Sequence, residues 1–491
     1  MCLCAFVAHL ELKRYSRSSQ TETFLHYFLS SLTPDNQRDC LLMKKNNLFR
    51  YSIVAALAGF IFGFDTVVIS GANEPIKKLW DTSPLFHGIF IMSMALWGTV
   101  AGALIGGIPA ERFGRKKTLF WVGILFAASA IGTALAPGPY VFSFFRFVGG
   151  LGIGISSVVA PTYISEISTP ATRGRLTAMY QFNIVFGILI AFISNYLLQG
   201  VGGENDWRWM LGVLVIPSLI YTFMVTGVPE SPRWLVSIKN DLQAAKRVLQ
   251  QIGEEDPDQE INNIIKANAA IETQKAATIF SSRYKRVLWL AFLVALFNQL
   301  SGINFILYYA PEILSRIGLG AKESLANSIA IGGTNLIFTF VGLYLIDRAG
   351  RKTLLIIGSL GYIISLAMVA IAFKTGASAG FLMTFLLMFI ASHAIGQGAV
   401  IWVFIAEIFP NKVRALGQSF GASTHWVFAA IITLLTPVFL DSKSGIFKDN
   451  PWPIFAFFAF MMVLQLIWVL TKVPETKGAS LEELEKKLIA H

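Results

Sequence analysis

The chain is poor in charge and in cysteine. Asp, Glu, Lys and Arg make up 14% of its 491 residues and hydrophobic residues 54%, whereas about a quarter of a soluble domain is charged. A soluble globular protein is thereby excluded. The three cysteines, Cys2, Cys4 and Cys40, all precede the first long apolar run. That excludes a disulfide framework and leaves the apolar core without a thiol. No GxxxxGK[ST] phosphate loop and no HExxH zinc motif occurs, which argues against an ATP-driven pump or a membrane hydrolase. The run GGLGIGISS at 149–157 lies inside an apolar segment with no strand before it. It reads as small residues that let helices approach closely, not as a nucleotide loop. Neither an enzyme nor a metal or cofactor site is expected.

What the chain has instead is long apolar runs of about 20 residues, the length that crosses a bilayer as a helix. Twelve occur, at 48–72, 86–110, 118–136, 140–166, 176–198, 208–227, 286–312, 325–346, 353–373, 380–408, 416–440 and 452–472. Basic residues fill every second connecting loop (Arg112, Arg115, Lys116 and Lys117; Arg173 and Arg175; Arg348, Arg351 and Lys352; Lys412 and Arg414). Because Lys and Arg are retained on the cytoplasmic side, both termini are expected there, in a multi-pass protein of the cell (inner) membrane. The net charge of +11 then reflects topology and not a nucleic-acid surface. Residues 1–42 are polar and irregular, and their apolar opening is too short to span and lacks the charged start of a secretion signal. They are expected to be disordered or not native, with the chain proper starting at Met43, just before Lys44 and Lys45.

Three stretches occur twice in the same order. ERFGRKK at 111 recurs as DRAGRKT at 347, SEISTPATRGR at 165 as AEIFPNKVRAL at 406, and VPESPRW at 228 as VPETKGA at 473, with offsets of 236, 241 and 245 residues. Collinear matches at a nearly constant offset imply duplication of a six-span unit. The expected organisation is an N-terminal six-helix bundle over 43–228, a polar cytoplasmic helical linker over 229–284, a C-terminal bundle over 285–473, and a tail helix within 474–491.

The paired RFGRK and RAGRK loops, the PESPRW and PETKG tags, and NQLSGINFILYYAPEI together resemble the sugar porter branch of the major facilitator superfamily. The resemblance covers essentially all of 43–491. It implies an all-α membrane fold of two bundles that close alternately around a midplane site, acting on a monosaccharide as a monomer in the lipid bilayer, with or without a proton.

At the cytoplasmic ends, Glu166 and Glu407 close spans that run toward the basic loops. Each can approach its own half's loop, Arg112 and Arg115 or Arg348 and Arg351, with Arg173, Arg414 and the tag residue Glu230 nearby. A guanidinium meets a carboxylate through two parallel hydrogen bonds, so these groups are expected to latch the inner ends when they close.

Inside the spans, Asp65 in FGFDTVVIS and Arg146 in FSFFRFVGG are expected at a shared level in the outer half. An intramembrane ionisable residue is a functional hypothesis by default. Burial favours the neutral form of an acid and a neighbouring cation the charged form, so a change in their separation can load or release a proton. Proton-coupled sugar porters carry Asp at this position, which the resemblance adds in support. The expected function is import of a neutral monosaccharide with a proton; a facilitative carrier is the first alternative and a non-transporting sugar receptor the second.

No basic cluster deep in the bundle offers to hold an anion, and no other opposite-charge pair is expected there, so the substrate is read as neutral. Amides and flat aromatic faces suit a sugar's hydroxyls and its C–H surface. On a straight seventh helix Asn298, Ser301, Asn304 and Tyr308 share one sector and Gln299 points away; a distortion at Gly302 is expected to bring Gln299 in. By resemblance, the sugar-contacting positions fall on Phe62, Gln181, Asn298, Gln299, Asn304, Tyr308, Asn335, Gly398, Trp402 and Trp426. Asn298 stands where the family usually has the first of two glutamines, and His425 where a glutamine or asparagine is common, so specificity does not transfer from any one relative, and His425 adds a group that can respond to pH.

Overall fold

The computed structural model describes residues 34–272, 279–410, 413–478, 483–485 and 488. Residues 1–33 of the expected extension, Lys412 and most of the expected tail helix lie outside them. A chain in lipid must satisfy its backbone groups internally, and the described residues accordingly form helices, with no strand among them. Among the described residues eleven helices are long and apolar enough to cross a membrane, and a bent pair makes a twelfth.

In chain order the spans are α1 (Asn47–Trp80, continuing a helix that begins at Pro34), α2 (Pro84–Met92 and Met94–Ile105, bent by 41°), α3 (Arg115–Ala134), α4 (Pro139–Ile167), α5 (Thr172–Leu198) and α6 (Gly203–Thr226). After the linker come α7 (Ser282–Ser315), α8 (Ala321–Ala349), α9 (Arg351–Thr375), α10 (Ala379–Ile408), α11 (Leu416–Leu440) and α12 (Trp452–Lys472). Each expected run coincides with one span. The largest shift is at the end of α1, which continues through the polar stretch Asn73–Glu74–Pro75 to Trp80. Asp65 consequently lies nearer the middle of its helix than expected.

The duplication is repeated in the packing. In the first half α1 packs on α5, α2 on α4, and α3 on both α4 and α6; in the second, α7 packs on α11, α8 on α10, and α9 on both α10 and α12. The halves meet where α2 lies on α11, α5 on α8, and α1 on the second part of α7. Small residues make the α2–α4 contact possible: a Cβ at Gly98 would collide with the Phe147 carbonyl oxygen, and one at Gly154 with that of Thr99. The GGLGIGISS run is therefore a helix-packing surface.

Among its described residues the linker holds three α-helices, Pro232–Ser237, Leu242–Ile252 and Pro257–Glu272. The second is amphipathic, burying Ala245, Val248, Leu249 and Ile252 at the spacing of one helical face. The Asp241 carboxylate caps its start by accepting from the Ala244 N–H at 2.9 Å.

Candidate functional site

At the end of the bundle that carries the basic loops, the two halves build the same arrangement. Arg115 donates to both oxygens of Glu166, Nε at 3.0 Å and Nη2 at 2.9 Å, and to the Ala110 carbonyl at 3.1 Å. Arg351 repeats this with Glu407 at 3.2 and 2.8 Å and with the Ile346 carbonyl at 3.0 Å. Gly114 and Gly350, at φ +96° and +89°, turn the chain into α3 and α9 and leave the first backbone N–H groups of each helix unpaired. The tag carboxylates fill that role. Glu230 accepts from Arg115 N at 2.8 Å and Lys116 N at 3.1 Å; Glu475 accepts from Arg351 N at 2.9 Å and Lys352 N at 3.0 Å. Their environments differ. Burial pushes the Glu230 carboxyl up against the backbone N–H bonds that oppose it. Burial acts the same way on Glu475, yet the N–H groups of Lys477, Arg351, Lys352 and Thr476 together hold it below the usual range.

The remaining basic residues do not meet these carboxylates. Arg173 donates to the Ser165 carbonyl at 3.2 Å and Arg414 to the Phe409 carbonyl at 3.3 Å. Arg112 lies over the Phe113 ring and Arg348 over Tyr344. The expected cluster thus resolves into one bidentate pair per half, and neither pair crosses to the other half.

Mid-bundle, Arg146 and Asp65 come together as expected. Arg146 Nη1 donates to Asp65 Oδ1 at 2.9 Å and Nη2 to the Asp65 main-chain oxygen at 3.3 Å, with both residues nearly inaccessible (1% and 2%). Asp65 Oδ2 has no protein partner among the described residues. It lies beside Gly149, where a Cβ would come within 3.6 Å of it. Asp65 lies one helical turn after Phe62 on α1, a residue whose ring takes part in the group described next, and Tyr308 of α7 is buried.

Helix α7 breaks where a glycine was expected to break it. Gly302 takes φ +86°, ψ 14° between Lys285–Leu300 and Ile303–Ser315, a left-handed conformation that L-residues with a Cβ disfavour. Ser301 serves the break itself: its hydroxyl donates to the Asn298 carbonyl at 2.6 Å and accepts from Ile303 N at 3.3 Å. With the helix interrupted, Gln299 turns inward to join its neighbours. Its Nε2 lies 3.1 Å from Asn298 Oδ1 and 3.1 Å from His425 Nε2, and its Oε1 accepts from Asn304 at 2.8 Å. Rings close the group: Trp402 to His425 at 5.0 Å, His425 to Trp426 at 4.8 Å, and Trp426 to Phe62 of the other half at 5.6 Å. Gln181 on α5 and Asn335 on α8 make no hydrogen bond to this group among the described residues. Gly398 lies against His393, a residue the motifs did not single out.

The opposite end of the bundle holds polar contacts that the sequence reading missed. Lys77 of α1 pairs with Asp441 at the end of α11, both largely buried, an opposite-charge pair at the end of the bundle and not deep within it. Burial disfavours the charged form of Asp441, but Lys77 and the backbone N–H groups of Ser444 and Lys443 hold its carboxyl at about 2. Beside it, Asn73 donates to Glu312 Oε2 at 2.9 Å, and Asn73 Oδ1 meets His87 Nε2 at 2.7 Å, whose Nδ1 meets Thr82 at 2.8 Å. Lys77–Asp441 and Asn73–Glu312 both cross between the halves. The one sequence signal was the charge in NEPIKK just past the apolar run.

Comparison with known proteins gives consistent results. A family model described as sugar (and other) transporter matches residues 51–488. The arabinose-proton symporter of Bacillus subtilis (strain 168) is 35% identical over 441 residues, 89% of this chain and 94% of that one. The glucose transporter GlcP of Staphylococcus epidermidis (strain ATCC 12228 / FDA PCI 1200) is 34% identical over 449 residues, 90% and 98% of the two chains. Among solved structures, the inward open conformation of the xylose transporter XylE from E. coli superposes with a TM-score of 0.78 at 30% identity, covering 90% of this chain and 100% of that one.

Proposed function

The chain belongs to the sugar transporter family, the sugar porter branch of the major facilitator superfamily, and from that premise we propose that it imports a neutral monosaccharide together with a proton by alternating access. The observation that carries the coupling is the buried Asp65–Arg146 pair, one helical turn from Phe62, whose ring meets Trp426 of the indole group. Arabinose-proton symport by a relative 35% identical supports it.

The sugar binds among Asn298, Gln299, Asn304, His425 and the rings of Phe62, Trp402 and Trp426, with Gln181, Asn335, Tyr308 and Gly398 completing the walls. Amides both give and take hydrogen bonds with hydroxyls, and indole faces cover the C–H surface of the ring. Because Phe62 and Trp426 belong to different halves, bound sugar bridges the bundles and favours their closing around it.

A proton arrives at Asp65 Oδ2, the oxygen that Arg146 leaves free, so that loading does not first require the ion pair to break. Neutralising Asp65 weakens the hold of Arg146, and the two helices that carry them can then move apart. One proton moving down 100 mV supplies about 2.3 kcal/mol, enough for roughly 50-fold accumulation. The basic-loop end is the cytoplasmic one by the retention of Lys and Arg there. With the two halves joined at the far end by Lys77–Asp441 and Asn73–Glu312, the conformation described here opens toward the cytoplasm. The Arg115–Glu166 and Arg351–Glu407 pairs brace each half during that motion, and their loops close on each other in the alternate state.

The test is uptake into proteoliposomes with an imposed pH gradient. Asp65→Asn is expected to abolish uphill accumulation while sugar exchange between the two sides continues. Undiminished accumulation in that variant removes the coupling and leaves a passive carrier.

A further inference from the structure

We infer that Ser129 of α3 holds a water molecule against Asp65 Oδ2 and is thereby a positioning residue for the proton that Asp65 takes up; this rests on the coupling reading above. Three helices meet at this place: α1 brings Asp65, α4 brings Arg146 and α3 brings Ser129. A glycine lets them meet closely. A Cβ at Gly149 of α4 would stand 2.4 Å from Ser129 Oγ and 3.6 Å from Asp65 Oδ2. The hydroxyl and the carboxylate therefore border the same spot on α4, no farther apart than those two distances laid end to end.

Both oxygens are buried, and neither has a hydrogen-bond partner among the described residues. Ser129 as a whole is 1% exposed. A hydroxyl inside a helix ordinarily bonds a carbonyl one turn back, as Thr133 does with the Ser129 carbonyl at 2.7 Å. Ser129 makes no such bond. Arg146 Nε, one turn before Gly149 on α4, is a third buried atom without a partner among the described residues, since the guanidinium meets Asp65 through Nη1 and Nη2. A buried polar atom left unpaired is costly, and three on neighbouring side chains call for a common partner. They offer a carboxylate oxygen that accepts, an N–H that donates and a hydroxyl that does either. A water matches that set, because buried waters take several polar partners and bridge groups that make no direct bond.

This water is the last carrier of the proton. A proton arriving on it passes to Oδ2, so the carboxylate becomes a neutral carboxyl and the water is left neutral again. The Ser129 hydroxyl fixes where the water sits and keeps its own proton. Arg146 is the charged group that faces Asp65, and it holds the other oxygen, Oδ1, at 2.9 Å. The competing role is packing, in which Ser129 is a small residue that lets α3 lie on α4 and has no part in proton transfer.

The experiment compares wild type, Asp65→Asn and Ser129→Ala in proteoliposomes. Infrared difference spectra between neutral and acid pH show the C=O band of each carboxyl that takes up a proton, and the band lost in Asp65→Asn belongs to Asp65. Ser129→Ala is expected to move that band to higher frequency, as for any carboxyl that loses a hydrogen bond. Transport is read with whichever of labelled D-xylose, L-arabinose and D-glucose the wild type takes up best, in two modes: uptake driven by an imposed pH gradient, and exchange at equal pH, in which the carrier keeps its proton. Ser129→Ala should slow driven uptake about three- to tenfold, the weight of one hydrogen bond, and leave exchange unchanged. A packing role would change both alike or neither. Should Ser129→Ala not fold, Ser129→Cys, of similar shape and a weaker donor, is read in the same way. An unmoved band, or uptake and exchange that change alike or not at all, overturns the inference and leaves the coupling reading intact. The absence of any band that depends on Asp65, or of driven uptake of all three sugars by the wild type, overturns both.

Discussion

The two ends of the bundle use the same kinds of side chain to different purposes. At the basic-loop end, Arg115–Glu166 and Arg351–Glu407 are bidentate and duplicated, and each joins helices of one half. At the opposite end, Lys77–Asp441 and Asn73–Glu312 are not duplicated and join one half to the other. A pair inside a half gives that half rigidity, whereas a pair between halves biases the direction in which the carrier faces. The duplicated contacts are therefore expected to govern stability and the unduplicated ones the conformational balance.

The largest effect that would sharpen this contrast is on stability. Arg115→Leu leaves Glu166 in a largely buried position without its cation, which costs about 3 kcal/mol. The melting temperature of the purified protein should fall while the balance between facing states stays put; a shifted balance with unchanged melting would break the comparison. Next comes the charge reversal Lys77→Asp, which places like charges at the join. In a chain with Cys2, Cys4 and Cys40 replaced by serine, a cysteine introduced as Leu434→Cys, at the residue whose carbonyl packs on Gly88, should react with a water-soluble maleimide at least about tenfold faster, equivalent to roughly 1.4 kcal/mol of shift. Adding Asp441→Lys should return the rate toward its original value, and failure of this rescue would show that the ion pair is not what holds that end shut.

Smaller effects separate the two tag carboxylates. The backbone N–H groups around Glu475 favour its ionised form and burial around Glu230 opposes ionisation, so at neutral pH Glu475→Gln should lower the melting temperature more than Glu230→Gln. The reverse order would contradict that electrostatic reading. Smallest is a predicted constancy. Asp441, held at about 2, lies below its unfolded value near 3.9, so its contribution is complete above the unfolded value and lost only as pH falls through about 2. With Glu312 replaced by Gln, so that this neighbouring carboxyl does not contribute, the ratio of maleimide rates between the Lys77→Gln variant and its Lys77 parent, in which the thiol's own ionisation cancels, should accordingly be unchanged from pH 5 to 8.

Much of this architecture is legible in the amino-acid order because it rests on strong local terms. Apolar runs of spanning length mark the helices, the repeated RFGRK and RAGRK loops mark the duplication, and Gly302 marks the break in α7 that turns Gln299 inward. What was not legible depends on distance in sequence. Lys77 and Asp441 lie just past the ends of apolar runs, where charge is ordinary, and nothing local says that helices 1 and 11 bring them together. Tyr362 of α9 and His393 of α10 sit in different spans, and no periodicity relates the hydroxyl of one to the imidazole nitrogen of the other, 2.6 Å away. Likewise Arg173 and Arg414 carry the spacing of the duplicated motif, yet backbone carbonyls at hand take their hydrogen bonds before a carboxylate can.

The central claim is that Asp65 exchanges a proton in step with sugar movement. Its most direct measure is the pH outside lightly buffered proteoliposomes, with the membrane potential clamped, when a sugar that the wild type takes up is added. The account predicts alkalinisation of the external medium in proportion to the sugar entering, and none in Asp65→Asn vesicles that still exchange sugar. Sugar entry with no proton movement in the wild type, or equal proton movement in the variant, would contradict it.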